Sequence, residues 1–160
     1  MIFVTVGTQL PFDRLIKAID HWASQNRTAD VFAQIGPTKY EPQNIQWSRF
    51  IDAEGFRKRV EQADAIVAHA GMGSIITALE LAKPIVVMPR CAHLGEHRND
   101  HQVATAKRFQ AQGSIHVAFD ETEMSQKLRQ IEQLEVLGDI CSEASPQLIS
   151  AVQEFIHGEK

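Results

Sequence analysis

The stretch His69-Ala70-Gly71-Met72-Gly73-Ser74 is the part of this chain best equipped for chemistry. Gly71 and Gly73 let a backbone come close to a bulky anion, and the Ser74 hydroxyl is suited to capping a helix. A helix that begins here turns its free N–H groups and its positive end toward one point. That is phosphate-binding chemistry, with each charge-assisted hydrogen bond worth roughly 1.5–3 kcal/mol. Two other turns are rich in donors: Gly7-Thr8-Gln9, and the run from Pro89 to Gln102, where His93, His97 and His101 recur every four residues with Glu96 and Asp100 between them.

Other chemistries fit less well. A dinucleotide site wants G-x-G-x-x-G, yet Ile76 stands where the third glycine would fall, and Ile35-Gly36 brings no acid for a ribose hydroxyl. No G-x-x-x-x-G-K-[ST] and no G-x-S-x-G is present. The three histidines could hold zinc on one helix face, but Pro89 and Gly95 favour a loop and H-E-x-x-H is absent. They read as loop histidines open to solvent or to a ligand. No pair of acids has the spacing for general acid and base work. Asp13, the nearest candidate, reads better as an acid favoured at a helix start.

These turns need elements to hold them, and the apolar runs alternate in kind. Strands are expected at Ile2 to Val6, Val31 to Ile35, Ile45 to Ile51, Ala65 to Ala68, Ile85 to Met88 and Ile115 to Phe119. Helical spacing follows Phe12, Leu15, Ile16, Ile19 and Ala23. A helix apolar on nearly every face follows His69–Ser74 and runs to Ala82. Further helices start at Asp52, near Asp100 with Gly113 past the end, at Asp120 with Glu123 in a capping box, and at Pro146. Strands alternating with helices predict an α/β fold, a doubly wound parallel sheet of Rossmann-like type. Such sheets bind ligands beyond the carboxyl ends of their strands, where the three donor-rich turns fall.

The 160 residues suit a single domain spanning 1–160. A charged fraction of 22% and a net charge of −4 give no broad nucleic-acid surface, and Arg57-Lys58-Arg59 reads as a solvated helix face. Cys91 and Cys141 form no C-x-x-C pair and read as reduced thiols. Met1–Val6 carries no basic flank, so no signal peptide is expected, and no apolar run approaches the roughly 18 residues of a membrane span. The expectation is a cytoplasmic protein that reaches a membrane through a partner.

Met1-Ile2-Phe3-Val4-Thr5-Val6-Gly7-Thr8 with Phe12-Asp13-Arg14-Leu15, then His69–Ser74, Glu80, Lys83-Pro84, Met88-Pro89 and Asn99-Asp100-His101-Gln102, resemble in this order the small family-28 glycosyltransferase subunits. The likeness covers residues 1 to about 118. Similar proteins include the C-terminal half of the peptidoglycan lipid-linked N-acetylglucosaminyltransferase and the cytosolic subunit of the dolichol-linked enzyme. The bacterial two-component exopolysaccharide and capsule transferases are similar above all.

The resemblance implies the C-terminal, donor-binding half of a GT-B glycosyltransferase split over two chains. This half would bind a UDP-sugar, and a membrane-associated partner would hold a polyprenyl-diphosphate-linked acceptor and supply the base. No metal or other cofactor is expected. By position, Gly7 and Thr8 would face the diphosphate. Gly36 and the backbone near Phe50 would flank the uracil, Phe50 having a core aromatic as its alternative. His69 and Gly71, Met72, Gly73 and Ser74 would carry the phosphates. Glu80, an acid on an apolar helix, would hold the ribose, and His101 and Gln102 would read the sugar. N-acetylglucosamine, galactose and glucuronic acid all stay open. The helix at about 146–157 would dock the partner or pack on its own domain. The functional alternative is a non-catalytic enhancer subunit. A stand-alone epimerase would need a second half that 160 residues cannot build.

Overall fold

A computed structural model describes residues 1–138 of the chain, so the helix expected near 146–157 and Cys141 lie outside the described residues. In chain order the elements are β1 (Ile2–Thr5), α1 (Asp13–Gln25), β2 (Val31–Gln34), β3 (Gln46–Ser48), α2 (Ala53–Gln62), β4 (Ala65–His69), α3 (Met72–Glu80), β5 (Ile85–Met88), α4 (His101–Ala111), β6 (His116–Val117) and α5 (Glu121–Arg129). The six strands form one sheet in the order β3-β2-β1-β4-β5-β6, and every pairing is parallel. The expected doubly wound sheet is therefore present. Its strand order reverses between β1 and β4, and that is where such sheets open a crevice.

Successive residues of β1 point to opposite faces, so the strand feeds two cores. Val4 and Val6 pack with Leu15, Ile16 and Ile19 of α1 and with Met124 and Leu128 of α5. Phe3 packs on the other face with Val60 of α2, Ile75 and Leu79 of α3, and Ala106 of α4. Central strands covered on both sides are apolar at nearly every position, which is why they show in sequence as apolar runs. Each such side chain contributes about 1.5–3 kcal/mol by leaving water.

The caps follow local chemistry. Asp52 accepts from the Gly55 N–H at 2.8 Å and Asp120 from the Glu123 N–H at 2.8 Å. Glu123 reaches back to the Phe119 N–H at 2.8 Å, a variant of the expected box. Gly113, past α4, has φ +66, as its place after a helix end requires. The link before β3 is held by Asp20, whose carboxylate accepts from Tyr40 Oη (2.6 Å), Gln43 N (3.0 Å) and Asn44 N (2.7 Å).

Three expectations are corrected. Helix α3 starts at Met72 with Gly71 as its N-cap, so Ser74 is the third helical residue and does not cap. Nor is α3 buried all round. It buries Ser74, Ile75, Ala78 and Leu79, while Met72, Ile76 and Glu80 are exposed, because one side of the helix faces open space. Strand β3 is shorter than Ile45 to Ile51 since it pairs with β2 alone at the sheet edge. No helix among the described residues is long and apolar enough to cross a membrane.

Candidate functional site

The turns after β1, β4 and β5 meet at the carboxyl end of the sheet. At the floor, Thr5 Oγ1 donates to Gln34 Oε1 (3.1 Å) and accepts from the Gly7 N–H (3.2 Å), tying β1 to β2 beneath the first turn. Gly7 has φ +75, and a Cβ there would stand 2.9 Å from His69 Cε1. A Cβ on Gly71 would run into His69 Nε2. The imidazole thus lies between two glycines, and both are required by its bulk. A Cβ on Gly73 would meet nothing within 4 Å, so that glycine faces open space.

Burial first, and then the neighbouring Arg90 cation, push the His69 pKa down to about 4. The ring is neutral at physiological pH, and its Nδ1 is buried without a hydrogen-bond partner among the described residues. His69 therefore offers the site a neutral imidazole and no positive charge. Charge complementarity to an anion comes from α3, whose first N–H groups have no carbonyl one turn back to bond.

Two cavities flank that helix start and share Gly7, Thr8 and Ser74. One, of about 510 Å³, extends toward Gln34, Ile51, Asp52, Phe56 and Thr77. The other, of about 430 Å³, extends toward His69, Arg90, His97, His101 and Gln102. Beyond the second lies an open region lined by Gln9, Leu10, Gly95, Glu96, Arg98 and the two histidines.

Most of the expected residues converge here. Gly7, Thr8 and Ser74 line both cavities, and His69, Gly71, Met72, Gly73, His101 and Gln102 line the second. Gln102 is buried, with its Oε1 accepting from the Arg90 N–H at 3.2 Å. His101 Nδ1 lies 2.6 Å from Asn99 Oδ1, and its ring meets that of His97 edge-on at 4.5 Å.

Two residues, Glu80 and Gly36, stand apart from both cavities. Glu80 is exposed at the last position of α3, six residues beyond Ser74 or about 9 Å along the axis, and lines neither cavity. The burial that argued for a ligand role is missing. Gly36 is buried and supports the first turn from below, since a Cβ there would stand 3.0 Å from the Gly7 carbonyl oxygen. Phe50 is 51% exposed, which removes the core alternative, and the chain just after it, at Ile51 and Asp52, lines the first cavity.

Sequence reasoning missed Thr77, whose hydroxyl donates to the Gly73 carbonyl at 2.9 Å from the cavity side of α3. It also missed Arg90, although an arginine directly after the apolar run Ile85–Met88 and Pro89 was the available signal. The loop after β5 holds a short 3-10 turn at Ala92–Leu94, and Gly95 has φ +71, so the three histidines lie on no common helix face. Among the described residues no cluster of three or more potential metal ligands forms. The loop is fastened by Arg14, whose Nε and Nη2 donate to Glu96 at 2.7 and 2.9 Å and whose Nη2 also reaches the Pro89 carbonyl at 3.0 Å.

Residues 1–137 match the family model of the glycosyltransferase family 28 C-terminal domain, and the chain belongs to that family. The human UDP-N-acetylglucosamine transferase subunit ALG13 is 28% identical over 125 residues, spanning 71% of this chain and 10% of that protein. Its Candida albicans counterpart is 31% identical over 70 residues, 44% of this chain and 22% of the relative. The chain thus spans about a tenth to a fifth of the curated relatives it matches. Among solved structures, that of ALG13 in solution superposes with a TM-score of 0.62 at 18% identity, covering 98% of this chain and 96% of that one. A kitacinnamycin glycosyltransferase gives 0.61 at 18% identity over 98% of this chain and 37% of its own. A UDP-N-acetylglucosamine 2-epimerase of Listeria monocytogenes gives 0.66 at 8% identity over 99% of this chain and 46% of its own. The fold is that of the C-terminal domain of GT-B glycosyltransferases.

Proposed function

We propose that this family-28 domain is the donor-binding catalytic subunit of a two-chain, inverting glycosyltransferase. It would take a UDP-sugar and pass the sugar to a polyprenyl-diphosphate-linked acceptor held by a membrane-associated partner, in cell-surface polysaccharide synthesis. The partner would bring the chain to the inner face of the membrane.

One observation carries the reading: two cavities meet over the start of α3, sharing Gly7, Thr8 and Ser74. A UDP-sugar has this three-part shape. The nucleoside fits toward Ile51 and Phe56, the diphosphate over the shared turn, and the sugar toward His101 and Gln102. On this placement Thr77, not Glu80, faces the ribose side. As the bond from sugar to diphosphate breaks, negative charge grows on the departing phosphate. Fixed N–H donors at a helix start then bind the transition state more tightly than the ground state, with no metal needed. The match to a transferase subunit named for UDP-N-acetylglucosamine supports the donor class.

Calorimetric titration with UDP in EDTA, beside ADP and NAD, tests this. Saturable binding of UDP alone is expected. Ser74→Ala should weaken it about tenfold, the loss of one charge-assisted hydrogen bond, and Glu80→Ala by no more than about twofold. Equal binding of ADP and NAD, or no UDP binding even with the partner present, would overturn the reading.

A further inference from the structure

Arg90 is 3% exposed and lies beneath the turn after β1, where Nη2 donates to the carbonyls of Val6 (2.8 Å) and Leu10 (2.7 Å). The guanidinium stands 5.0 Å over the Phe12 ring, and its Nε is buried with no hydrogen-bond partner among the described residues. Carbonyls and an aromatic face stabilise a cation but do not neutralise it. Among the described residues no carboxylate lies within ion-pair distance of it. The nearby acid, Glu96, is committed to Arg14 and to the Cys91 N–H at 2.9 Å. Buried charges are as a rule paired, since burial without a counter-ion is costly. Here the unpaired charge lines the same cavity as Gly71, Gly73 and Ser74 at the start of α3.

We propose that Arg90 is the fixed counter-charge for a diphosphate seated on the first turn of α3, and that the ligand supplies the negative partner that the described residues do not. The identity of that ligand as a nucleoside diphosphate rests on the function proposed above. The anion site itself does not. His69, which feels the Arg90 charge and lies against Gly71 at the helix start, is neutral, and in surroundings of low dielectric the Arg90 charge acts with little screening.

The test uses the full chain and three probes: inorganic diphosphate, UDP and uridine. Inorganic diphosphate should bind the wild type. Arg90→Gln should weaken diphosphate and UDP binding at least about tenfold, as expected for a charge-assisted contact, and leave uridine within about twofold. Arg90→Lys, which keeps the charge but not the fork, should retain most of the diphosphate affinity. In the wild type the Arg90 Nε–H resonance should move on addition of diphosphate and not of uridine. This measurement decides the matter if Arg90→Gln does not fold.

A wild type that ignores inorganic diphosphate, an unresponsive Nε–H, or an Arg90→Gln chain that binds diphosphate normally would each overturn the proposal. So would equal losses for Gln and Lys that extend to uridine, since they would show a purely structural arginine. If diphosphate binding depends on Arg90 but UDP binds no better than ADP, the UDP-sugar reading fails and this one stands.

Discussion

At the scale of single residues, Gly71 and Gly73 look alike in sequence and differ in the fold. A Cβ on Gly71 meets the His69 ring, whereas one on Gly73 meets nothing. Gly71→Ala should therefore lower stability by about 2 kcal/mol in urea denaturation, the usual cost of overpacking. Gly73→Ala lies inside a helix and should raise stability by up to about 1 kcal/mol. Its Cβ would enter the cavity, so UDP affinity should fall about tenfold while the fold holds. Unchanged affinity would place the ligand elsewhere. His69 adds a pH dependence. Its folded pKa of about 4 lies below the ordinary 6.5, so between these values the unfolded chain holds a proton that the folded chain refuses. The contribution is full above about pH 6.5 and is lost as pH falls toward 4, at most roughly 3 kcal/mol for a shift of this size. Thermal melts across that range should show the loss, and His69→Asn should flatten the slope.

At the scale of elements, the loop from Cys91 to Asp100 is set by an ion pair joining residues 82 apart in sequence, Arg14 and Glu96, each side chain 12% exposed. Burial alone would lower the Arg14 pKa, and Glu96, with Glu121 and Cys91, more than offsets this, so the net shift is upward. Removing Glu96 leaves the nearly buried Arg14 with only the more distant and exposed Glu121, at 3.6 Å, so Glu96→Ala should cost about 3 kcal/mol in urea denaturation. The double change Arg14→Met with Glu96→Met should cost less than Glu96→Ala, because no lone charge is left. The opposite order would make the pair a true source of stability. No sequence pattern could show this pair, since nothing local connects its members. The sheet was legible for a reason of the opposite kind: β1, β4 and β5 are buried on both faces, so their apolar runs are local and nearly unbroken. Helix α3 misled for the same physics. Met72 and Ile76 are as apolar as core residues but stand in the open, so the helix read as buried all round. That reading lent weight to the ligand role that the family resemblance gave Glu80. Arg90 escaped notice because its contacts are with the carbonyls of Val6 and Leu10, more than 75 residues away.

At the scale of the whole molecule, three of the large apolar side chains left in water stand on the ligand side of the sheet. Leu10 (38% exposed), Met72 (46%) and Leu94 (52%) each follow the carboxyl end of a different central strand, β1, β4 or β5. They ring a cleft that has one wall. The acids of that wall are engaged: Glu96 with Arg14, Asp52 with the α2 cap, Asp13 with the Thr38 hydroxyl. Among the described residues no carboxylate is left over in the cleft to take a proton from an acceptor hydroxyl. A positioned base contributes about 10²–10⁴-fold to such a step, so the isolated chain should bind UDP yet transfer sugar at least about a hundredfold more slowly than the pair. Met72→Lys and Leu94→Lys should weaken the pair in co-purification without changing UDP affinity, because a buried lysine at an interface is costly while an exposed one is not. In the reconstituted pair, Gly73→Ala then separates the two roles open to this chain. A donor-binding catalytic subunit loses turnover with it, whereas an enhancer that only activates its partner keeps it. Full turnover by the isolated chain would show that the base lies on this side of the cleft after all.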